Sequence, residues 1–126
     1  MSPDTSKNLK SEKGYRKLFA WQKSDEMAYQ IYLETKSFPK EEIYGITSQL
    51  RRSALSVPVN LAEGVGRQNK KELRQFVNIA LGSLSETEYL LEFCLRLGYL
   101  ESSVFEKLES FRQETGNICW KFYLSL

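Results

Sequence analysis

The side chains in this protein that could do chemistry are carboxylates, guanidiniums, amines and two thiols; there is no histidine. That absence removes imidazole acid–base catalysis, Ser–His and Cys–His nucleophilic pairs, and metal sites that need a ring nitrogen. Glu63, Glu86, Glu88 and Glu92 are carboxylates of the type found in di-iron bundles. The Glu-x-x-His pairs of those centres have no counterpart here. Cys94 and Cys119 are the only cysteines, and they form no C-x-x-C. A structural zinc ion needs about four ligands, so both read as buried free thiols and no metal site is expected. Gly64-Val65-Gly66 lacks the Lys-Ser/Thr ending of a phosphate loop and reads as a turn. The expectation is a non-enzyme with no cofactor and no small-molecule substrate.

Two polar constellations remain. Arg67, Lys70, Lys71 and Arg74 fall in an eight-residue stretch of net charge +3. They are the candidate nucleic-acid-binding residues, because phosphate binding grows with the number of cations brought together. The second constellation is Arg51, Arg52, Asn60 and Glu63, in a helix that also carries Pro58 and ends at Gly64. Arg52 and Glu63 are about three helical turns apart, so an undisturbed helix presents them on one side. On a structural reading they pair with Glu86 or with nearby backbone and hold a proline-distorted helix. On a functional reading they line a subunit surface or an anion site. Arginine forks onto carboxylate and phosphate alike, so residue type leaves both open.

The whole-chain charge of +2 is too mild to mark a nucleic-acid binder by itself. Its distribution is uneven: residues 1–23 carry +4 and residues 84–114 carry −4. The basic zones favour RNA or a nucleoprotein as partner. The acidic zone and spare aromatics favour the alternative, a scaffold or adaptor that binds protein and no nucleic acid. No apolar run approaches a membrane span, and the first residues have no secretory apolar core, so a cytoplasmic protein is expected.

The elements that must position these groups are helices. Residues 1–14 are polar, without apolar period, and read as a disordered tail; residues 15–126 read as one domain. Ala20, Ser24, Met27, Ile31, Thr35 and Phe38 recur at helical spacing and predict a helix over about 20–37, stopped by Pro39. A second helix is expected to follow at once, with Glu41 and Glu42 in its first turn and Ile43, Ile46, Leu50, Ala54, Val57 and Leu61 as its stripe. Pro58 predicts a kink or a break near Ser53–Pro58. Asn69 and Glu72 form a capping box for a third helix over about 70–97, striped by Leu73, Phe76, Ala80, Leu84, Thr87, Leu91 and Cys94/Leu95 and ended by Gly98. Ser103 with Glu106 suggests the cap of a fourth helix, striped by Val104, Leu108, Phe111, Thr115, Ile118 and Phe122. Four such helices with short connections make an all-α, antiparallel up-down-up-down four-helix bundle. Tyr29, Leu33, Leu55, Val59, Ile79, Leu81, Phe93, Trp120 and Tyr123 lie outside the main stripes, which predicts helices buried on more than one side and hence an oligomer.

Several segments occur together in a recognisable order: Phe19-Ala-Trp21-Gln22-Lys23; Phe38-Pro39 followed by Glu42, Tyr44 and Gly45; Gln49-Leu-Arg51-Arg52-Ser53 followed by Ser56, Pro58, Asn60, Ala62, Glu63 and Gly64; and Ala80, Gly82, Ser83 and Glu86. This resembles the bacterial four helix bundle proteins, also called intervening-sequence proteins because some are encoded in insertions within large-subunit ribosomal RNA genes. The resemblance spans about residues 15–123. It departs mildly at Ser24, where the family often has alanine. It implies a ring-shaped homopentamer, with two different faces of each subunit meeting, and no established enzymatic activity. A related branch, the accessory variability determinant of diversity-generating retroelements, is similar in fold, and binds nucleic acid and a reverse transcriptase through a basic surface. Its basic residues have no motif match in this chain.

Overall fold

The computed structural model describes residues 14–126. The expected tail lies outside the described residues apart from Gly14, which opens a 3₁₀ turn, Gly14–Lys17. Four helices follow: α1 (Phe19–Glu34), α2 (Ile46–Val65), α3 (Lys70–Arg96) and α4 (Ser102–Ser125). No strand occurs among the described residues. Each helix packs on its neighbour in sequence, and α4 returns to α1, closing a four-membered bundle. Side-chain pairs fix the antiparallel sense. Ser53 meets Thr87 and Ser56 meets Ser83 between α2 and α3. Lys23 meets Glu114 and Lys107 meets Glu34 between α1 and α4.

The α1 stripe is buried as its spacing predicts: Ala20, Ser24, Met27, Ile31, Thr35 and Phe38 all face the core, joined by Trp21 and Ala28. Leu50, Ala54, Val57 and Leu61 face them from α2, and Ala80, Leu84, Leu91 and Cys94 from α3. On α3, Val77 and Leu90 are buried although the predicted stripe omits them. Leu73 and Phe76, which it includes, are half-buried. A 27-residue helix drifts around its partners, so one straight stripe cannot describe both its ends.

Three sequence expectations need correction. First, α2 does not begin at Glu41. Residues Lys40–Glu42 form one 3₁₀ turn, and Gly45, at φ −108° and ψ −121°, interrupts helical geometry before Ile46. Glu42 therefore does not sit on a helix dipole; its Oε2 accepts a hydrogen bond from the Tyr99 hydroxyl at 2.8 Å, joining the two connections at one end of the bundle. Ile43, expected on the α2 stripe, is exposed. Second, of the kink or break expected near Pro58, the break does not occur: α2 runs continuously through the proline. The proline is buried with Val57 and Leu61, and packing against α3 offsets the roughly 3 kcal/mol that an interior proline costs. Third, Ser103 is no cap. The chain enters α4 extended at Glu101 (φ −70°, ψ 154°), with no side-chain cap, and Ser103 is already helical. Buried Leu100 anchors the approach, so packing of the connection, not the capping pair, sets where α4 starts. By contrast Asn69 caps α3, its Oδ1 accepting from the Glu72 amide at 2.8 Å, and Gly98 takes φ +79° just past the helix end.

Candidate functional site

The basic constellation is placed by the α3 cap. With Asn69 fixed, Lys70, Lys71 and Arg74 occupy the first turns of α3, all exposed. The structure splits Arg67 from them. Its Nη2 lies 3.3 Å from Glu63 Oε2, and its guanidinium sits 5.0 Å from the Phe76 ring centroid. Among the described residues no ion pair holds Lys70, Lys71 or Arg74. Lys71 and Arg74 line a shallow groove of about 250 Å³ with Gln75, Asn78 and, from α4, Tyr123. The Arg74 guanidinium lies 4.6 Å from the Tyr123 ring centroid. Tyr123 in turn stacks on Trp120, with centroids 5.6 Å apart and planes 17° apart. By periodicity alone the pair belongs with the apolar residues outside the main stripes. The missed signal was its i, i+3 spacing on a helix adjacent to the basic turn of α3.

The second constellation does not converge. Arg51 turns to α1: its Nε donates to Thr35 Oγ1 at 2.8 Å, its Nη2 to the Tyr32 carbonyl at 3.4 Å, and its guanidinium covers the Tyr32 ring at 4.7 Å. It thus serves the C-terminal end of α1, where helix carbonyls lack internal partners. Arg52 and Glu86 are exposed, and among the described residues no ion pair joins Arg51 or Arg52 to Glu86. Asn60 Nδ2 donates to the Ser56 carbonyl and to Ser56 Oγ at 2.8 and 2.9 Å. Gly64 is buried where α2 meets α3; a Cβ there would stand 2.9 Å from Leu73 Cδ1 and Phe76 Cβ. The backbone part of the structural reading holds for Arg51 and Asn60, while the pairing with Glu86 does not form.

Two further features bear on function. The acidic zone is partly neutralised from within. Arg112, with only 12% of its side chain exposed, binds Glu109 at 2.6 Å and Glu88 at 3.1 Å. These carboxylates, the Glu109 hydrogen bond first, push its proton affinity further up. Between α1 and α2, Tyr29, Tyr32, Leu33 and Leu55 line an apolar groove of about 540 Å³ whose edge carries Asp25 and Lys36.

No group of three His, Cys, Asp or Glu that could hold a metal occurs among the described residues. Both cysteines are buried and unpaired. Burial, and secondarily the charge of Glu42, pushes the Cys94 thiol up to about 11, and burial pushes Cys119 up to about 12. Thiolate is the reactive form, and burial disfavours it at both positions. No helix among the described residues is long and apolar enough to cross a membrane.

A family model described as 23S rRNA-intervening sequence protein matches residues 16–121. Among solved structures the chain is similar to a protein of unknown function from the S23 ribosomal protein family of Bacteroides thetaiotaomicron. The two are 26% identical, the match covers 82% of this chain and 97% of that one, and the TM-score is 0.76. No curated protein matches.

Proposed function

The chain belongs to the 23S rRNA-intervening sequence protein family, and from that premise we propose a non-enzymatic, self-assembling bundle that binds RNA through the basic edge of α3. The observation that carries the RNA reading is the state of Lys71 and Arg74: they share a groove, and among the described residues neither has a carboxylate partner. Lys70 adds a third cation on the same turn, and the α3 N-terminus adds the positive end of its dipole. Arg67 contributes less, because Glu63 already neutralises it.

The assembly we propose is the ring-shaped homopentamer that the resemblance implies, working in the cytoplasm, where free buried thiols stay reduced. The apolar groove between α1 and α2 supports it, since a second copy would cover Tyr29, Leu33 and Leu55. Repetition around a ring multiplies a charge that is weak in one subunit, and phosphate binding scales with charges brought together.

A gel-shift series with a structured RNA, from about 50 to 200 mM salt, tests the RNA reading. Expected is binding that weakens steeply with salt, with a shallower slope in a Lys71→Gln/Arg74→Gln variant. No binding at the lowest salt, or no salt dependence, overturns it. A protein partner that co-purifies after nuclease treatment, with no RNA shift, favours a protein-only scaffold instead.

A further inference from the structure

We propose that the Trp120–Tyr123 pair, with Arg74 and Lys71, is a base-stacking platform for single-stranded RNA. This rests on the RNA reading above and narrows it to unpaired strands.

The chain has two tryptophans. Trp21 is 6% exposed and belongs to the core, whereas Trp120 is 51% exposed. The half-exposed indole is packed against other planar groups rather than isolated. Tyr123 stacks on it at 17°, and the Arg74 guanidinium packs on Tyr123 at 4.6 Å. Three planar groups from two helices thus line up where α3 and α4 meet. Their order is supplied by the fold, so an incoming base need not immobilise them.

The surroundings match a nucleotide chain. Lys71 and Arg74 border the same groove and can take phosphates; Gln75 and Asn78 line it beside them. Each of these amides carries both a donor and an acceptor, the pairing that a ribose 2′-hydroxyl or an unpaired base edge requires. Lys121 follows Trp120 directly and is exposed. Within residues 70–85 and 115–126 the only acidic side chain is Glu72. Cations interleaved with an ordered aromatic face characterise single-strand binding, because every unpaired base offers a π-face. A duplex hides those faces and offers a platform of this kind only its phosphates.

The test uses the full chain in its native assembly and three labelled probes: a U-rich 12-mer RNA, the same RNA annealed to its complement, and the 12-mer DNA of matching sequence. Expected is tighter binding of the single-stranded RNA than of the duplex, with quenching of the exposed tryptophan emission. Trp120→Ala should weaken the single-strand complex by about 5- to 100-fold, abolish the quenching and leave duplex binding nearly unchanged. Trp120→Phe, which keeps a stacking face, should recover most of the affinity. Equal affinity for single strand and duplex, with Trp120→Ala unaltered, overturns the platform while leaving the RNA reading intact. Preference for the DNA strand overturns the assignment to RNA. No binding of any probe by wild type overturns both. A Trp120→Ala variant that binds normally but has a lower assembly mass places Trp120 in a subunit contact and overturns the platform.

Discussion

Ser53 Oγ and Thr87 Oγ1 lie 2.9 Å apart in the closed interior between α2 and α3. Each also reaches a carbonyl of its own helix, Leu50 O at 3.0 Å and Ser83 O at 2.8 Å. A hydroxyl has one proton, so one of the two donates to its own carbonyl and the other donates across the interface. One turn along, Ser56 and Ser83 repeat the arrangement at 2.8 Å, with Asn60 donating to Ser56. The most extensive helix pairing in the bundle therefore holds a short polar seam inside its apolar contact. Hydrogen bonds are directional, so the seam fixes the register of α2 against α3 in a way that Leu50, Leu61 and Leu84 alone would not.

Removing one partner of the seam should cost more than half of removing both. Ser53→Ala or Thr87→Val alone is expected to lower stability by about 1 kcal/mol, because a buried hydroxyl loses its cross-helix partner. The double variant should lose less than the sum, with a coupling of about 0.5–1.5 kcal/mol. Urea unfolding at one fixed protein concentration measures the cycle. Additivity within about 0.3 kcal/mol would show that the two hydroxyls act independently.

Two glycines should respond with opposite signs. At Gly64 a Cβ would stand 2.9 Å from Phe76 Cβ, an atom one bond from the α3 backbone that cannot swing aside. Gly64→Ala should therefore destabilise the bundle by about 1–3 kcal/mol, the overpacking outweighing the better helix propensity of alanine. Gly82 is exposed in mid-α3, and a Cβ there meets nothing within 4 Å. Gly82→Ala should stabilise by about 0.5–1 kcal/mol. Thermal denaturation of both variants decides; stabilisation by Gly64→Ala would mean that α2 and α3 stand further apart than this close contact.

These positions show what the sequence made legible. The α1 stripe, the Asn69 cap and the Gly98 stop could be read directly, because periodicity, capping and left-handed backbone are local properties. The start of α2 could not. The Tyr99–Glu42 bond joins residues 57 positions apart, and no local pattern announces such a partner. The basic residues of the candidate site were visible as a charge cluster, but their separation was not. Whether Arg67 turns to Glu63 and Arg74 to Tyr123 depends on how the α2–α3 turn points and on which α4 residues lie beside α3. The seam was missed for a related reason: serine and threonine in an amphipathic helix give no sign of whether a second hydroxyl awaits them across the interface.

The buried thiols give the protein a pH dependence of definite sign. Cys94 and Cys119 are pushed up from 9.0 to about 11 and about 12 in the folded state. A thiol that ionises less readily when folded favours the folded state below its unfolded value, and that contribution is lost as pH rises toward the folded value. Stability should accordingly fall between pH 9.0 and about 11 to 12, and Cys119→Ala should flatten part of the fall. At pH 8 a thiol-specific disulfide reagent should label neither cysteine until the chain unfolds, with both labelled in urea. Rapid labelling of the native protein would show that the α3–α4 interface opens locally.

The groove between α1 and α2 makes the last prediction. Tyr29, Tyr32, Leu33 and Leu55 present an apolar lining to solvent in the isolated subunit, the kind of face that the proposed assembly would cover. Leu55 is the sensitive position, because it is the α2 residue that closes a groove built otherwise on α1 and the turn after it. It is itself exposed, so a charge there leaves the subunit core untouched. In an interface, however, Leu55→Glu would bury an unpaired carboxylate, at a cost of several kcal/mol. Light scattering should give a mass several times 14.7 kDa for the wild type and a single-subunit mass for Leu55→Glu, with far-ultraviolet circular dichroism showing an unchanged helix content. Wild type at one subunit mass would overturn the assembly. An assembled Leu55→Glu variant would place the subunit contact on another face of the bundle.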